Sequence, residues 1–229
     1  MALVTLSRQL GSWGEEIGQD VARQLGASFI DREIIKSVAM RMDAPEQLID
    51  DIEEKTPGFA KRVANAIIQA FADGTGLAPL VGVVPAPVLP PPEEEESEAS
   101  PPVFSFDLND TLYLNFVREV VQEIAQAGNA VIAGRAAHLL LKEVAGALHV
   151  LVVAPWPLRI ERIMEQRGCS RDAAEKSARD SDHARESYTE RFYHAHWADP
   201  TRYHLTLNTG FLTREQACAI VIDAAQRIR

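Results

Sequence analysis

Leu3-Val4-Thr5-Leu6-Ser7-Arg8-Gln9-Leu10-Gly11-Ser12-Trp13-Gly14 is the stretch from which the rest of this chain can be read. Leu3 to Leu6 are apolar and β-leaning, the composition of a strand buried in a parallel sheet. A loop with two glycines follows. From Glu15 the period changes, and Ile17, Val21 and Leu25 recur every four residues along one face of an amphipathic helix. A strand, a glycine loop and a helix in succession form a natural anion site. The first-turn N–H groups and the helix dipole favour negative charge, and glycine lets the backbone approach it.

The loop is not the familiar Gly-x-x-x-x-Gly-Lys-Ser/Thr phosphate loop. With Gly14 as the second glycine, Glu15 and Glu16 fall on the lysine and hydroxyl positions. Shifted by one, Trp13 falls on the glycine and Gly14 on the lysine. Neither register places a cation in the loop, and Arg8 is the nearest one. The residues alone therefore leave two readings open, a phosphate cradle and an ordinary strand-to-helix turn.

Downstream, short apolar runs alternate with helical patterns. Strands are expected at 27–30, 130–133, 149–154 and 204–208. Between 30 and 130, helical faces are expected from Ile34 to Met42, from Pro45 to about Lys55, from Pro57 to about Gly74 and from about Asn109 to Ala127. Later ones carry Leu139, Leu140 and Val144, then Ile160, Ile163 and Met164, then residues 170–195, and finally Ala217, Val221, Ala224 and Ile228. Such alternation predicts an α/β fold, a mainly parallel five-stranded sheet flanked by helices with residues 3–6 at its centre. Residues 75–103 break the pattern. They hold eight of the thirteen prolines, the run Glu93–Glu96 and no aromatic residue, so they are expected to form a linker outside the core.

Composition narrows the classes. The 229 residues are 46% hydrophobic, enough for a substantial core. A net charge of −10 argues against a broad nucleic-acid-binding face. Cys169 and Cys218 form neither a disulfide framework nor a metal spacing, and no Cys/His metal cluster is visible. No apolar run has the length of a membrane span, and no signal-like segment opens the chain, so a cytoplasmic protein without membrane partners is expected.

In an open parallel sheet, ligands gather beyond the carboxyl ends of the strands. There the sequence places Arg8 with the glycine loop, Asp31-Arg32, Gly134-Arg135 and Asn208. Guanidinium forks suit phosphate oxygens. Residues 170–195 are rich in arginine, and Arg179, Asp182 and Arg185 share one helix face by their spacing of three. That face suits the stabilisation of charge on a moving phosphoryl group, and equally a salt-bridged solvent face.

Together these phrases resemble the cytidylate kinase-like family of P-loop kinases. The resemblance rests on Val4 to Ser12, Phe29-Ile30-Asp31-Arg32-Glu33-Ile34-Ile35, Ala130 to Arg135, Arg179-x-x-Asp182-x-x-Arg185-x-x-Tyr188, Asp199-Pro200 and Tyr203 to Gly210. It implies a nucleotide-kinase core over residues 1–44 and 111–229, with an arginine-bearing lid at about 168–195. It also implies a helical acceptor-side insertion over 45–110 that contains the Pro/Glu-rich linker. Gly11, Ser12 and Gly14 would cradle donor phosphates beside Arg8. Arg32 and Arg135, with Asp31, would hold the acceptor's phosphate, and Arg179 and Arg185 would act as lid arginines oriented by Asp182. The implied activity is transfer of a phosphoryl group from ATP, with Mg²⁺, to a small nucleotide acceptor such as a nucleoside monophosphate. The alternative is a protein of the same fold that binds such ligands without turnover. Where relatives read Gly-Gly-Arg, this chain has Trp13-Gly14-Glu15.

Overall fold

The structure, a computed structural model, describes residues 2–31, 64, 65, 68 and 109–228, excepting the side chains of 109–114. The chain divides into two compact units, Met1–Arg32 with Val121–Arg229, and Glu33–Val120. In the second unit Ala64, Asn65 and Ile68 are helical. Arg32, the helices expected between 34 and 55, and the Pro/Glu-rich segment lie outside the described residues, as does the core boundary expected at 44/45.

The first unit is built on β1 (Leu3–Arg8), β2 (Ser28–Ile30), β3 (Ala130–Ala133), β4 (Ala147–Val153) and β5 (Leu205–Asn208). They form a single sheet of order β2-β3-β1-β4-β5. All four pairings are parallel, with Leu3 level with both Ala130 and Ala147. β1 is central, as its apolar run predicts, and Leu3 to Leu6 are all buried.

The strand period of two sends alternate residues to opposite faces. Val4 and Leu6, with Val131, Val150 and Val152, meet Ile17 and Val21 of α1 (Gly14–Leu25). They also meet Ala217, Cys218 and Val221 of the last helix, Arg214–Arg227, which opens with a Thr213/Gln216 capping box. On the opposite face, Leu151 packs with Trp197 and Tyr203. The helix Asn109–Ala127, here α2, buries Val117, Val121 and Ile124 as its periodicity predicts.

One expectation needs correction. Leu139, Leu140 and Val144 do not form the buried stripe of a helix. The helix here, α3, is only Ala137–Leu140, and it buries Ala137 and His138, with Leu141 buried just after it, while Val144 is exposed. The chain leaves the helix at once through turns, so helical spacing does not apply beyond Leu140. β4 also begins at Ala147, two residues before the expected start at 149, and Ser7 and Arg8 belong to β1 instead of the loop.

Two helices follow β4. α4 (Trp156–Arg167) starts behind Pro155, and α5 (Arg171–Tyr193) starts at a Ser170 cap that accepts from the Ala173 N–H. They dock through Ile160 and Ile163 against Ala174 and Ala178, a small interface for a helix of 23 residues. The last helix, Arg214–Arg227, is α6. Among the described residues no helix is long and apolar enough to cross a membrane.

Candidate functional site

The loop after β1 is clipped to β4 at its start. The Gln9 N–H donates to the Val152 carbonyl at 3.0 Å, and the Gln9 side chain accepts from the Ala154 N–H at 3.1 Å. Ser12 is fully buried, with its hydroxyl 2.8 Å from the Gln9 carbonyl and 3.2 Å from that of Val152. Both glycines answer to close packing within the chain. A Cβ on Gly11, whose φ is +78°, would stand 2.5 Å from the Arg159 carbonyl oxygen, and one on Gly14 would stand 2.3 Å from Arg8 Cβ. Trp13 precedes α1 in the left-handed conformation (φ 61°, ψ 14°) and offers the first turn no side-chain cap. Such a φ is strained for a bulky residue.

Two arginines of α4, not singled out by the sequence reading, hold this loop. Arg159 is 3% exposed, and its Nε donates to the Leu10 carbonyl at 2.7 Å. Its two Nη groups grip Asp182 of α5 as a fork at 2.8 and 3.0 Å. Arg162 is 9% exposed and donates to the Gly11 carbonyl (3.3 Å), the Thr209 hydroxyl (2.8 Å) and the Thr209 carbonyl (2.9 Å). Its guanidinium carbon lies 3.4 Å from the centre of the Trp13 ring system. Burial lowers the pKa of Arg162, and nearby Glu16 works in the other direction. The signal for both residues was their spacing. Arg159 and Arg162 sit a turn apart beside Ile160 and Ile163, the buried residues of the same helix.

The predicted site residues separate into groups. Arg8 and Arg185 converge on one cleft of about 310 Å³, lined also by the loop, Arg162, Glu15, Glu16 and Glu165. Arg8 is paired with Glu15 at 3.5 Å. Arg185 donates to the Ser181 carbonyl at 3.0 Å and lies 3.7 Å from Asp182. Burial, then the charge of Arg8, pulls its pKa down to about 10, against the pull of Asp182, so it stays cationic at neutral pH. Arg179 does not reach this cleft. It is largely exposed, pairs with Glu175 at 3.3 Å and faces Trp156, which also faces Arg159. Asp31 and Arg135 follow β2 and β3, and neither lines the cleft.

A second cleft, of about 520 Å³, adjoins the first and shares its Trp13 and Arg162 walls. It is lined by Leu158, Phe211 and Leu212 with Thr209, Gly210 and Arg214, and Phe211 is 86% exposed. Among the described residues, no three His, Cys, Asp or Glu side chains gather to hold a metal ion.

On the far face of the sheet lies a buried polar row. His138 Nδ1 is 3.3 Å from Ser7 Oγ and its ring stacks on Tyr203 at 4.5 Å. His149 Nδ1 is 2.8 Å from Thr5 Oγ1 and its ring stacks on His204 at 4.9 Å. Burial holds the pKa of His138 down to about 3 and that of His149 to about 4, each pushed further by a neighbouring histidine. Burial raises the Tyr203 phenol to about 12, and its hydroxyl donates to the Trp197 carbonyl.

An all-parallel sheet of order 2-3-1-4-5 flanked by helices, with a glycine turn after its central strand, defines the P-loop kinase class of α/β fold. The chain belongs to the cytidylate kinase-like family, which it matches over residues 3–210. An uncharacterized protein from Eubacterium ventriosum shares the fold, with a TM-score of 0.59 at 14% identity over 99% of both chains. A shikimate kinase from Bacteroides thetaiotaomicron aligns over 98% of both chains with a TM-score of 0.47 and 12% identity. Over 110 residues, 48% of this chain, there is 32% identity to the uronate isomerase of Corynebacterium glutamicum. The match takes in 21% of that protein, so the chain spans about a fifth of this relative's length.

Proposed function

We propose that this protein is an ATP-dependent nucleoside monophosphate kinase of the cytidylate type. The observation that carries the reading is the meeting of Arg8, Arg162 and Arg185 at the glycine loop, in a cleft adjoining a second one walled by Phe211 and Trp13. Cations and backbone suit a polyphosphate, and the aromatic wall suits a base.

In this reading the loop Gly11–Gly14 and Arg8 hold the donor phosphates, while Arg32 and Arg135, with Asp31, hold the phosphate of the acceptor. Arg185 neutralises charge on the moving group, Arg179 would join it only by leaving Glu175, and Asp182 positions α5 through its fork on Arg159. An acceptor phosphate oxygen needs no strong base, so positioning and charge neutralisation supply the rate. A bound Mg²⁺ would offset the charge of the phosphates. Glu16 in the first turn of α1, which lines the cleft and is not the partner of Arg8, suits an ion that takes one carboxylate and keeps its waters.

The second reading, a binder without turnover, is favoured by the pairing of Arg8 with Glu15 and by the lack of a lysine in the loop. Phosphoryl-transfer assays with ATP and Mg²⁺ against a panel of nucleoside monophosphates separate the two. The kinase reading expects a diphosphate product from at least one acceptor and a drop in kcat of about 100-fold in Arg185→Ala, the scale of losing one charge-stabilising donor. Binding of ATP with no product from any acceptor would establish the second reading.

A further inference from the structure

Arg162 stands apart from the other arginines of this region. Arg8 is within ion-pair distance of Glu15, Arg159 and Arg185 of Asp182, and Arg179 of Glu175. Arg162 has no carboxylate within that distance among the described residues, although it is 9% exposed and borders both clefts. Three of its N–H groups go to Gly11 and Thr209, and its buried Nε–H has no acceptor among the described residues. Burying a guanidinium without a counter-charge is costly. What faces it is the indole of Trp13, whose backbone is held in the left-handed region. A strained residue and a buried cation that feels Glu16 only from beyond ion-pair distance thus lean on one another at the rim of a cleft, and strain of this kind collects at ligand sites.

We propose that Arg162 is the cation that the glycine loop itself lacks, and that Trp13 is its displaceable cover. An anionic ligand entering the cleft takes the counter-ion position, and the indole leaves the guanidinium as it does so. Arg162 exchanges its cation–π contact for a charge-assisted hydrogen bond donated to the anion, and Trp13 is released from its stack. Glu15, Glu16 and Glu165 line the same cleft and repel an incoming anion, so Arg162 and Arg185 are the side from which binding is drawn. This inference rests on the reading that the cleft holds a phosphorylated ligand.

The test is calorimetric titration of inorganic triphosphate, with Mg²⁺, into the full chain and into Trp13→Gly, Arg162→Gln and the double variant. Glycine accepts the left-handed backbone and uncovers the guanidinium, so Trp13→Gly should tighten binding about tenfold. Arg162→Gln should weaken it about tenfold or more, and the double variant should be as weak as Arg162→Gln. Indole emission should change on titrating the wild-type chain, and that change should be lost in Trp13→Gly. If the wild type binds triphosphate and Trp13→Gly binds no tighter, the proposal is overturned while the phosphate-binding reading stands. That comparison decides even if Arg162→Gln does not fold. No binding by the wild type or by Trp13→Gly overturns both.

Discussion

Asp182→Asn is expected to destabilise the protein by about 3 kcal/mol and to lower Tm by roughly 6–12 °C. Arg159 is 3% exposed and its two Nη groups rest on the Asp182 carboxylate at 2.8 and 3.0 Å. The pair joins three elements, because Arg159 also holds the Leu10 carbonyl of the glycine loop. Asparagine keeps the shape and removes the charge. It leaves a buried guanidinium with a carbonyl in place of an anion, and breaking a buried pair from one side is the costly case. Asp182 is 27% exposed, so water takes up part of the loss, and the figure sits at the low end of the roughly 3–5 kcal/mol that breaking such a pair costs. The interface between α4 and α5 otherwise buries only Ile160, Ile163, Ala174 and Ala178 fully, with Leu10, Trp156, Met164 and Cys169 partly buried against them, a small apolar surface beside the fork. Urea denaturation of both proteins measures it. A difference below about 1 kcal/mol would mean that the fork behaves as a surface pair and does not hold the helix.

The second large effect is acid sensitivity from the far face of the sheet. His138 and His149 titrate at about 3 and about 4 when folded, against 6.5 for the free side chain. Between those values the unfolded chain binds protons that the folded one does not, so stability falls as pH falls through this window. The contribution is fully present above about pH 6.5 and gone below the folded values. At pH 4.5, two units below the free value, each histidine accounts for a loss of about 2–3 kcal/mol. The mutual repulsion of the two rings makes their sum less than additive. His138→Phe keeps a ring against Tyr203 and removes one titration, so the stability lost between pH 7 and pH 4.5 should shrink by nearly half. An unchanged loss would mean that the imidazole protonates in place.

The sheet was readable because its strands are nearly continuous apolar runs, and parallel strands covered on both faces leave few positions for anything else. Val131 and Ile132, or Leu148 and Val150, permit little other reading. The helix expected at Leu139 is present but stops at Leu140, short of Val144, since a four-residue helix has no period to read. The site was half legible. Arg8 and Arg185 follow from strand ends and helix spacing, and both reach the cleft. Arg159 and Arg162 are not legible in the sequence, because arginines in a helix read as solvent-facing by default, whereas these two turn inward onto carbonyls that exist only once the loop has folded. No pattern in the sequence announces the stack of Trp13 on Arg162, which depends on a left-handed residue and on Thr209, 196 positions further along the chain than Trp13.

The central claim is that phosphates bind in the cleft between the glycine loop and the arginines around it. Glu15 now holds Arg8 at 3.5 Å and presents a carboxylate to that cleft. Calorimetric titration of ATP with Mg²⁺ into the wild type, Glu15→Lys and Arg8→Ala tests the claim directly. Glu15→Lys frees Arg8 and adds a cation, so binding should strengthen by about 1–3 kcal/mol, and Arg8→Ala should weaken it by a similar amount. If Glu15→Lys leaves affinity unchanged or lower and Arg8→Ala has no effect, the glycine loop is only a turn, and the cleft is not where this protein holds a nucleotide.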